Sequence, residues 1–330
     1  MFFAKAPQRP SFRFRVEQML PAFAARGHAC QIVFESDGWV ACAQELLSGR
    51  YDVVFVQKQT LPSPLLALLR ARVRTLVYDV DDAIMFDLAG RLERTRSARF
   101  GEMARAAERV MCGNQVLARE VEALGGKPVI VPTSIDTERF HPREREARAA
   151  MRPARTVIGW TGSRTNNAFL SDLFPVLARL GDSIELRILS CFETGFEYAR
   201  LGRVQYTFTK WTPDNEVGEV ARFDIGVMPL PDSAWTRGKC GLKALQYMAL
   251  GVPALASPVG ANCEVIADGE TGFLPNGDDA WHEALARLVV EPALRARIGA
   301  AGRARTEASY SLAAVGPRLV AAVEGAAEGV

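Results

Sequence analysis

Residues 224–257 read DIGVMPLPDSAWTRGKCGLKALQYMALGVPALAS. Asp224–Met228 is an apolar run of strand length, Pro229 to Gly241 is a loop, and Leu242–Leu250 has helical character. Pro253–Ser257 is a second short apolar run. Strand, helix, strand is a βαβ unit, and such a unit places its two strands parallel.

The same alternation extends in both directions. Upstream, Thr156–Trp160 reads as a strand, Ala168–Leu180 as a helix, and Glu185–Ser190 and Val204–Phe208 as strands. Downstream come helices near Ala280–Val290, Pro292–Thr306 and Ser311–Ala326. The first half repeats the pattern. Val16, Met19, Leu20, Phe23 and Ala24 form one helix face ended by Gly27. Gln31–Phe34, the run from Asp52 to Val56, Thr75–Val80, Val110–Cys112 and Val129–Val131 read as strands. Leu65–Leu69, Glu102–Arg109 and Gln115–Leu124 read as helices. Between the halves, Asp136 to Arg155 is charge-rich and carries prolines, as a connector does. The expected architecture is α/β, with two doubly wound, Rossmann-like domains.

A chain of 330 residues suits two domains, and 48% hydrophobic with 24% charged residues is globular composition. No run of 18 apolar residues spans a membrane, and Met1 to Arg15 lacks the apolar core of a signal peptide. The net charge of +2 does not argue for nucleic acid. Residues 1–150 hold 22 Lys/Arg against 18 Asp/Glu, and the remainder holds 18 against 20. The six cysteines form no Cys-x-x-Cys pair and there are three histidines, so a zinc site is disfavoured and a reducing, cytoplasmic setting is expected.

In doubly wound sheets ligands sit beyond the carboxyl ends of strands, and a cleft between two facing domains is the natural site. Four loops qualify: Thr161-Gly162-Ser163-Arg164, the 229–241 loop, Asp81-Asp82, and Gln57-Lys58-Gln59. The 229–241 loop runs into a helix N-terminus, which attracts anions. With Gly238, Lys239 and Gly241 it suits a diphosphate, and Arg164 offers a second fork of donors. G-x-x-x-x-G-K-[ST], G-x-G-x-x-G and G-x-S-x-G are absent, which disfavours P-loop, dinucleotide and hydrolase chemistry.

The segment from Asp224 to Leu274 strongly resembles the nucleotide-sugar-binding segment of retaining glycosyltransferases of family 4, which have the GT-B fold. Val131-Pro132-Thr133-Ser134-Ile135-Asp136 with Phe140 and Pro142, Gly27-His28, and Ile298-Gly299 through Arg303 with Tyr310-Ser311 resemble further family signatures in the same order. The resemblance implies two Rossmann-like domains facing a central cleft. Residues 1–133 would form the acceptor domain, 134–155 the linker and 156–310 the donor domain, with helix 311–330 packing back on the first. It implies transfer of a sugar from a nucleotide donor to a glycan or lipid-linked acceptor with retention, in cell-surface polysaccharide or glycolipid synthesis. No metal and no other cofactor are expected.

The family's Glu-x7-Glu pair falls here on Gly238 and Gln246, so both carboxylates are missing. The resemblance assigns the diphosphate to Gly162, Ser163, Arg164, Lys239 and the backbone of Gly241 and Leu242, and the ribose to Gln246. Its usual first-domain histidine is absent, leaving Asp81, Asp82 or Lys58 as acid or base. The leaving diphosphate is thought to take the acceptor proton in this family. Electrostatic stabilisation of that group, through Arg164 and Lys239, then carries the rate, and each charge is worth roughly 3 kcal/mol.

Arg13 and Arg15 follow the short apolar start Met1–Ala4 and offer an anionic acceptor two forks of donors; a solvated helix start fits them equally. Arg91, Arg94, Arg96 and Arg99 read either as a solvated face or as peripheral contact with the inner membrane face. Three rivals stand beside the transferase: a nucleotide-sugar-binding protein without activity, a two-domain epimerase, and a metal-dependent GT-A transferase using Asp79 and Asp81 as D-x-D. In the bland reading of that last motif, Asp82 caps the next helix.

Overall fold

The computed structural model describes residues 1–147 and 155–328, and part of the 134–155 connector therefore lies outside the described residues. The chain forms two compact units. Unit 1 comprises Met1–Ser134, Ser233–Cys240 and Leu312–Val330; unit 2 comprises Ile135–Asp232 and Gly241–Ser311.

Unit 1 is built on β1 (Phe2–Ala4), β2 (Ile32–Phe34), β3 (Val53–Gln57), β4 (Thr75–Val80), β5 (Arg109–Cys112) and β6 (Pro128–Ile130). Their order is β2-β1-β3-β4-β5-β6, every neighbour parallel. All six residues of β4 are buried, as expected where both faces of a parallel sheet are covered. Leu76, Tyr78 and Val80 enter a core with Leu66, Phe100, Met103 and Leu117, while Val77 enters a second core on the other face. That second core takes Phe12, Met19 and Phe23 and the inner face of helix Leu312–Glu328, namely Val315, Leu319, Val320 and Val323.

Two readings of this half need correction. The expected helix around Val16–Ala24 is broken into helix Pro10–Arg15, a 3-10 turn at Glu17–Met19 and helix Leu20–Ala25. Val16 leaves helical geometry at φ −123°, ψ −65°, and Pro21 suits only a helix start. The helix expected from Glu102 starts earlier, as Arg94–Ala106, because the Glu93 carboxylate caps it by accepting from the backbone of Thr95 and Arg96. Sequence spacing also misses helix Trp39–Leu46.

Unit 2 holds β7 (Thr156–Gly162), β8 (Ile184–Ser190), β9 (Gln205–Lys210), β10 (Ile225–Met228) and β11 (Ala254–Ala256), in the parallel order β11-β10-β7-β8-β9. Its core gathers Ile158, Trp160, Phe174, Ile188, Val227 and Leu255 with Trp281 and Leu285. Helix Pro292–Tyr310 is fastened by the buried Arg303, whose Nη1 donates to the carbonyls of Thr137 (3.0 Å), Phe140 (2.7 Å) and Ala249 (2.6 Å). A Cβ at Gly299 would lie 2.1 Å from the Gly251 carbonyl, so this helix lies against backbone where only glycine fits. The 298–303 signature therefore has a packing explanation.

The strand order reverses between β1 and β3 in unit 1 and between β7 and β10 in unit 2, which marks the binding ends of the two sheets.

Candidate functional site

In unit 2 the switch point is held open by one side chain. β7 and β10 pair through Ile158 with Ile225 and Gly159 with Gly226. Farther along, the Tyr247 hydroxyl lies between them, accepting from Thr161 N (3.1 Å) and donating to Val227 O (3.2 Å). Burial raises the Tyr247 phenol's pKa against the smaller opposing effect of the Thr161 N–H, so it remains a donor. A Cβ at Gly226 would stand 2.3 Å from the Tyr247 ring, so that glycine admits the ring.

Tyr247 belongs to helix Leu242–Ala249, which begins at Gly241 in the left-handed region (φ 68°). The first-turn N–H groups of such a helix have no partner four residues back and carry its positive end. At the end of β7 stand Gly162, Ser163 and Arg164. A Cβ at Gly162 would meet the Trp160 indole at 2.2 Å, so close packing already requires this glycine. Ser163 Oγ lies 3.0 Å from Thr165 Oγ1, and the Arg164 guanidinium lies 6.0 Å above the Phe192 ring. The Lys243 ammonium lies 5.5 Å from the Trp160 ring centroid. Sequence reasoning passed over Lys243, although its place at the start of the helix was a signal.

Gln246 is buried on the same helix, and its Nε2 donates to Glu216 Oε1 at 3.0 Å. Glu216, also buried, accepts from Trp211 Nε1 at 3.2 Å and has Arg139 Nη2 at 4.0 Å. Glu216 was not singled out from the sequence; its exposed-looking setting among Asp214, Asn215 and Glu219 hides it.

The stretch Ser233–Cys240 packs elsewhere than expected, within unit 1. Asn114 explains why. Its Oδ1 caps helix Gln115–Ala123 by accepting from Leu117 N (2.8 Å), and its Nδ2 donates to the carbonyls of Gly238 (3.1 Å) and Lys239 (3.0 Å). Cys240 donates its thiol to Asp81 O at 3.1 Å. Gly238 is accordingly no anion cradle. Its N–H bonds Trp235 O, the Lys239 N–H bonds Thr236 O, and a Cβ at 238 would lie 2.4 Å from Ala83 Cβ.

Lys239 and the other unit 1 residues form a second polar group at the carboxyl ends of β3 and β4. Lys58, in the left-handed region at φ 61°, places its ammonium 3.2 Å from Asp81 Oδ1 and 3.1 Å from Asp82 Oδ2. Burial alone would lower its pKa, but Asp81 and Asp82 outweigh that and hold it above the ordinary lysine value. Asp82 caps no helix; Glu93 does that. The Lys239 ammonium lies 3.8 Å from the Trp235 ring centroid, and burial lowers its pKa despite Asp82. The buried Gln57 ends β3 beside this cluster.

Arg15 is not an acceptor residue. It is buried, its Nη2 bonds Asp79 Oδ1, its Nε donates to Asp79 Oδ2 at 3.2 Å and its Nη1 to Val131 O at 2.6 Å. The same pair removes Asp79 from any D-x-D metal motif, and the two-sheet fold removes the GT-A reading. Arg13 is half-buried on helix Pro10–Arg15, its guanidinium 5.3 Å from the Phe14 ring centroid.

Residues 155–291 match the family of glycosyl transferases group 1. The chain is 29% identical over 232 residues to a GDP-mannose-dependent monoacylated alpha-(1-6)-phosphatidylinositol monomannoside mannosyltransferase of Corynebacterium glutamicum, covering 62% of this chain and 58% of the relative. It thus spans somewhat over half the length of that relative. Sucrose-phosphate synthase from Thermosynechococcus elongatus superposes with a TM-score of 0.80 at 15% identity, covering 100% of this chain and 99% of the other. HepE of Anabaena in complex with UDP and glucose gives a TM-score of 0.74 at 14% identity, covering 98% and 99%. Residues 155–291 are therefore similar to the group 1 glycosyl transferases, and along its length the chain has the GT-B fold of these structural neighbours.

Proposed function

We propose that the protein transfers a sugar, with retention, from a nucleotide-sugar donor to a hydroxyl of a glycan or lipid-linked acceptor at a membrane-bound step of glycolipid or polysaccharide synthesis. The observation that carries this reading is the switch point of unit 2. There the Tyr247 hydroxyl separates β7 from β10, and the end of β7 and the start of the tyrosine's helix lie within the group 1 segment. The donor diphosphate is taken by the first-turn N–H groups from Gly241 and Leu242 onward, by Ser163 and by Arg164, with Lys243 as a further charge in the same unit. Gln246 faces the ribose through whatever acceptor capacity its bond to Glu216 leaves.

In unit 1, the carboxylates of Asp81 and Asp82 orient acceptor hydroxyls, with Lys58 fixing their geometry and Lys239 adding charge. The leaving diphosphate accepts the acceptor's proton, and its stabilisation is the main catalytic term. The reading is metal-independent: the Lys58 ammonium occupies the space between Asp81 and Asp82 where a divalent ion would otherwise balance them. Relatives named for GDP-mannose and phosphatidylinositol mannosides support a GDP- or UDP-linked hexose and an inositol-type or glycolipid acceptor.

A panel of GDP- and UDP-sugars, read by thermal shift and by product formation on phosphoinositol and glycolipid acceptors, tests this. A donor at a hundred times its Kd adds about 2.7 kcal/mol to stability. Arg164→Ala is expected to lower kcat/KM roughly a hundredfold, and EDTA to leave the rate unchanged. Gly238 and Gln246, standing where a carboxylate pair would be, favour one alternative, a binding protein. Donor stabilisation with no turnover on any acceptor would establish it.

A further inference from the structure

The turn between β4 and helix Arg94–Ala106 displays two leucines to water, Leu88 at 58% and Leu92 at 57% exposure. Their exposure is not that of a slack loop. Phe86 and Leu92 form an antiparallel bridge, Asp87 N–H bonds Arg91 O at 2.9 Å, and Glu93 N–H bonds Met85 O at 2.9 Å. Asp87 Oδ1 accepts from the backbone of Ala89 and Arg91, both at 2.9 Å, and Gly90 closes the turn at φ 77°. Met85, at its base, is 1% exposed in the unit 1 core. A turn this well bonded holds its leucines outward, uncovered among the described residues.

Exposed cations follow them closely in the chain. Arg91 on the turn and Arg94, Arg96 and Arg99 in the first turns of the following helix are all exposed, while Phe100, Met103 and Ala104, farther along that helix, are buried in the core. Arg91 pairs with Asp87 and Arg96 with Glu93. From 87 to 99 four arginines face two carboxylates, so the patch is net positive.

Two fixed leucines followed within seven residues by exposed arginines match the boundary of an anionic bilayer, where apolar side chains enter below the headgroups and guanidinium groups bond lipid phosphates. We propose that the 86–99 surface is a membrane-docking site for anionic phospholipid. The proposal goes beyond the sugar-transfer reading and does not depend on it.

The test is co-sedimentation of the whole protein with phosphatidylcholine vesicles, alone or with about one third phosphatidylglycerol. Binding is expected to the anionic vesicles and to fall as salt rises. Each exposed arginine near such a surface is worth about fivefold in partition, so Arg94→Gln with Arg99→Gln is expected to weaken binding roughly twenty- to thirtyfold. Leu88→Ser with Leu92→Ser is expected to weaken it roughly tenfold. All four positions are exposed, and unchanged melting temperatures would show that the variants fold. As a second readout, Leu88→Trp fluorescence should shift blue on adding anionic vesicles. No binding to anionic vesicles, equal binding to neutral ones, or wild-type binding by both double variants would overturn the proposal. In the first case a patch that instead pulls down with an acidic protein would reassign it.

Discussion

Gln246 hands its amide N–H to the buried carboxylate of Glu216 across 3.0 Å. A carboxylate only accepts, so the amide must point its nitrogen this way. Position 246 is where the family resemblance expects Glu. Gln246→Glu would set two buried carboxylates against each other, and we expect a loss of about 1–3 kcal/mol in urea unfolding at neutral pH, shrinking as acid protonates one of them. Adding Glu216→Gln should restore most of it. A stable single variant would mean that water, not Glu216, faces the amide.

The Arg15–Asp79 pair is a structural ion pair, so removing one partner should cost stability before it costs acceptor recognition. Arg15→Met is expected to destabilise by about 3–5 kcal/mol by leaving Asp79 buried without its cation. The double variant Arg15→Met, Asp79→Leu should recover much of that. A single variant of unchanged stability but altered acceptor affinity would return Arg15 to the acceptor role.

Lys58 and Lys239 share a cluster yet shift in opposite directions. Burial holds Lys239 below the ordinary lysine value of 10.5, whereas Asp81 and Asp82 hold Lys58 above it. As pH rises, Lys239 therefore loses its proton first, and mass spectrometry of amine acylation should find it modified at lower pH than Lys58. For stability the sign follows linkage. The contribution of Lys58 is fully present below the unfolded lysine pKa and is lost as pH rises through its higher folded value. The stability gap between wild type and Lys58→Met should thus be flat near neutrality and close at strongly alkaline pH.

Tyr247→Phe keeps the ring that Gly226 admits and deletes the hydroxyl between β7 and β10. It leaves Thr161 N and Val227 O facing each other without a bridge. We expect a loss of about 1–3 kcal/mol, measured by chemical denaturation. On the proposed function, donor affinity falls with it while kcat changes less.

The alternation of apolar runs with helical segments was enough to read both sheets, and Thr75–Val80 matches β4 residue for residue because a strand buried on both faces reads as a near-continuous apolar run, here broken by Asp79 alone after Leu76–Tyr78. The candidate site was less legible. Gly238 looked like a phosphate-loop glycine because sequence does not display Ala83, the neighbour that excludes a Cβ there. Arg15 looked like a cleft arginine because its partner Asp79 lies 64 residues on, in β4, and Glu216 was invisible because nothing local marks a buried carboxylate. Long-range partners, not local propensity, set the roles of all three.

The chain passes between the units at 134/135, 232/233, 240/241 and 311/312. Neither unit is a continuous piece of chain, so the order of synthesis matters. The second core of unit 1 lacks Val315, Leu319 and Val323 until the ribosome has made them, and residues 155–291 expressed alone would carry Ser233–Cys240 without the rest of unit 1. We therefore expect that excised segment to aggregate, and the nascent chain to close one face of its first-begun sheet last.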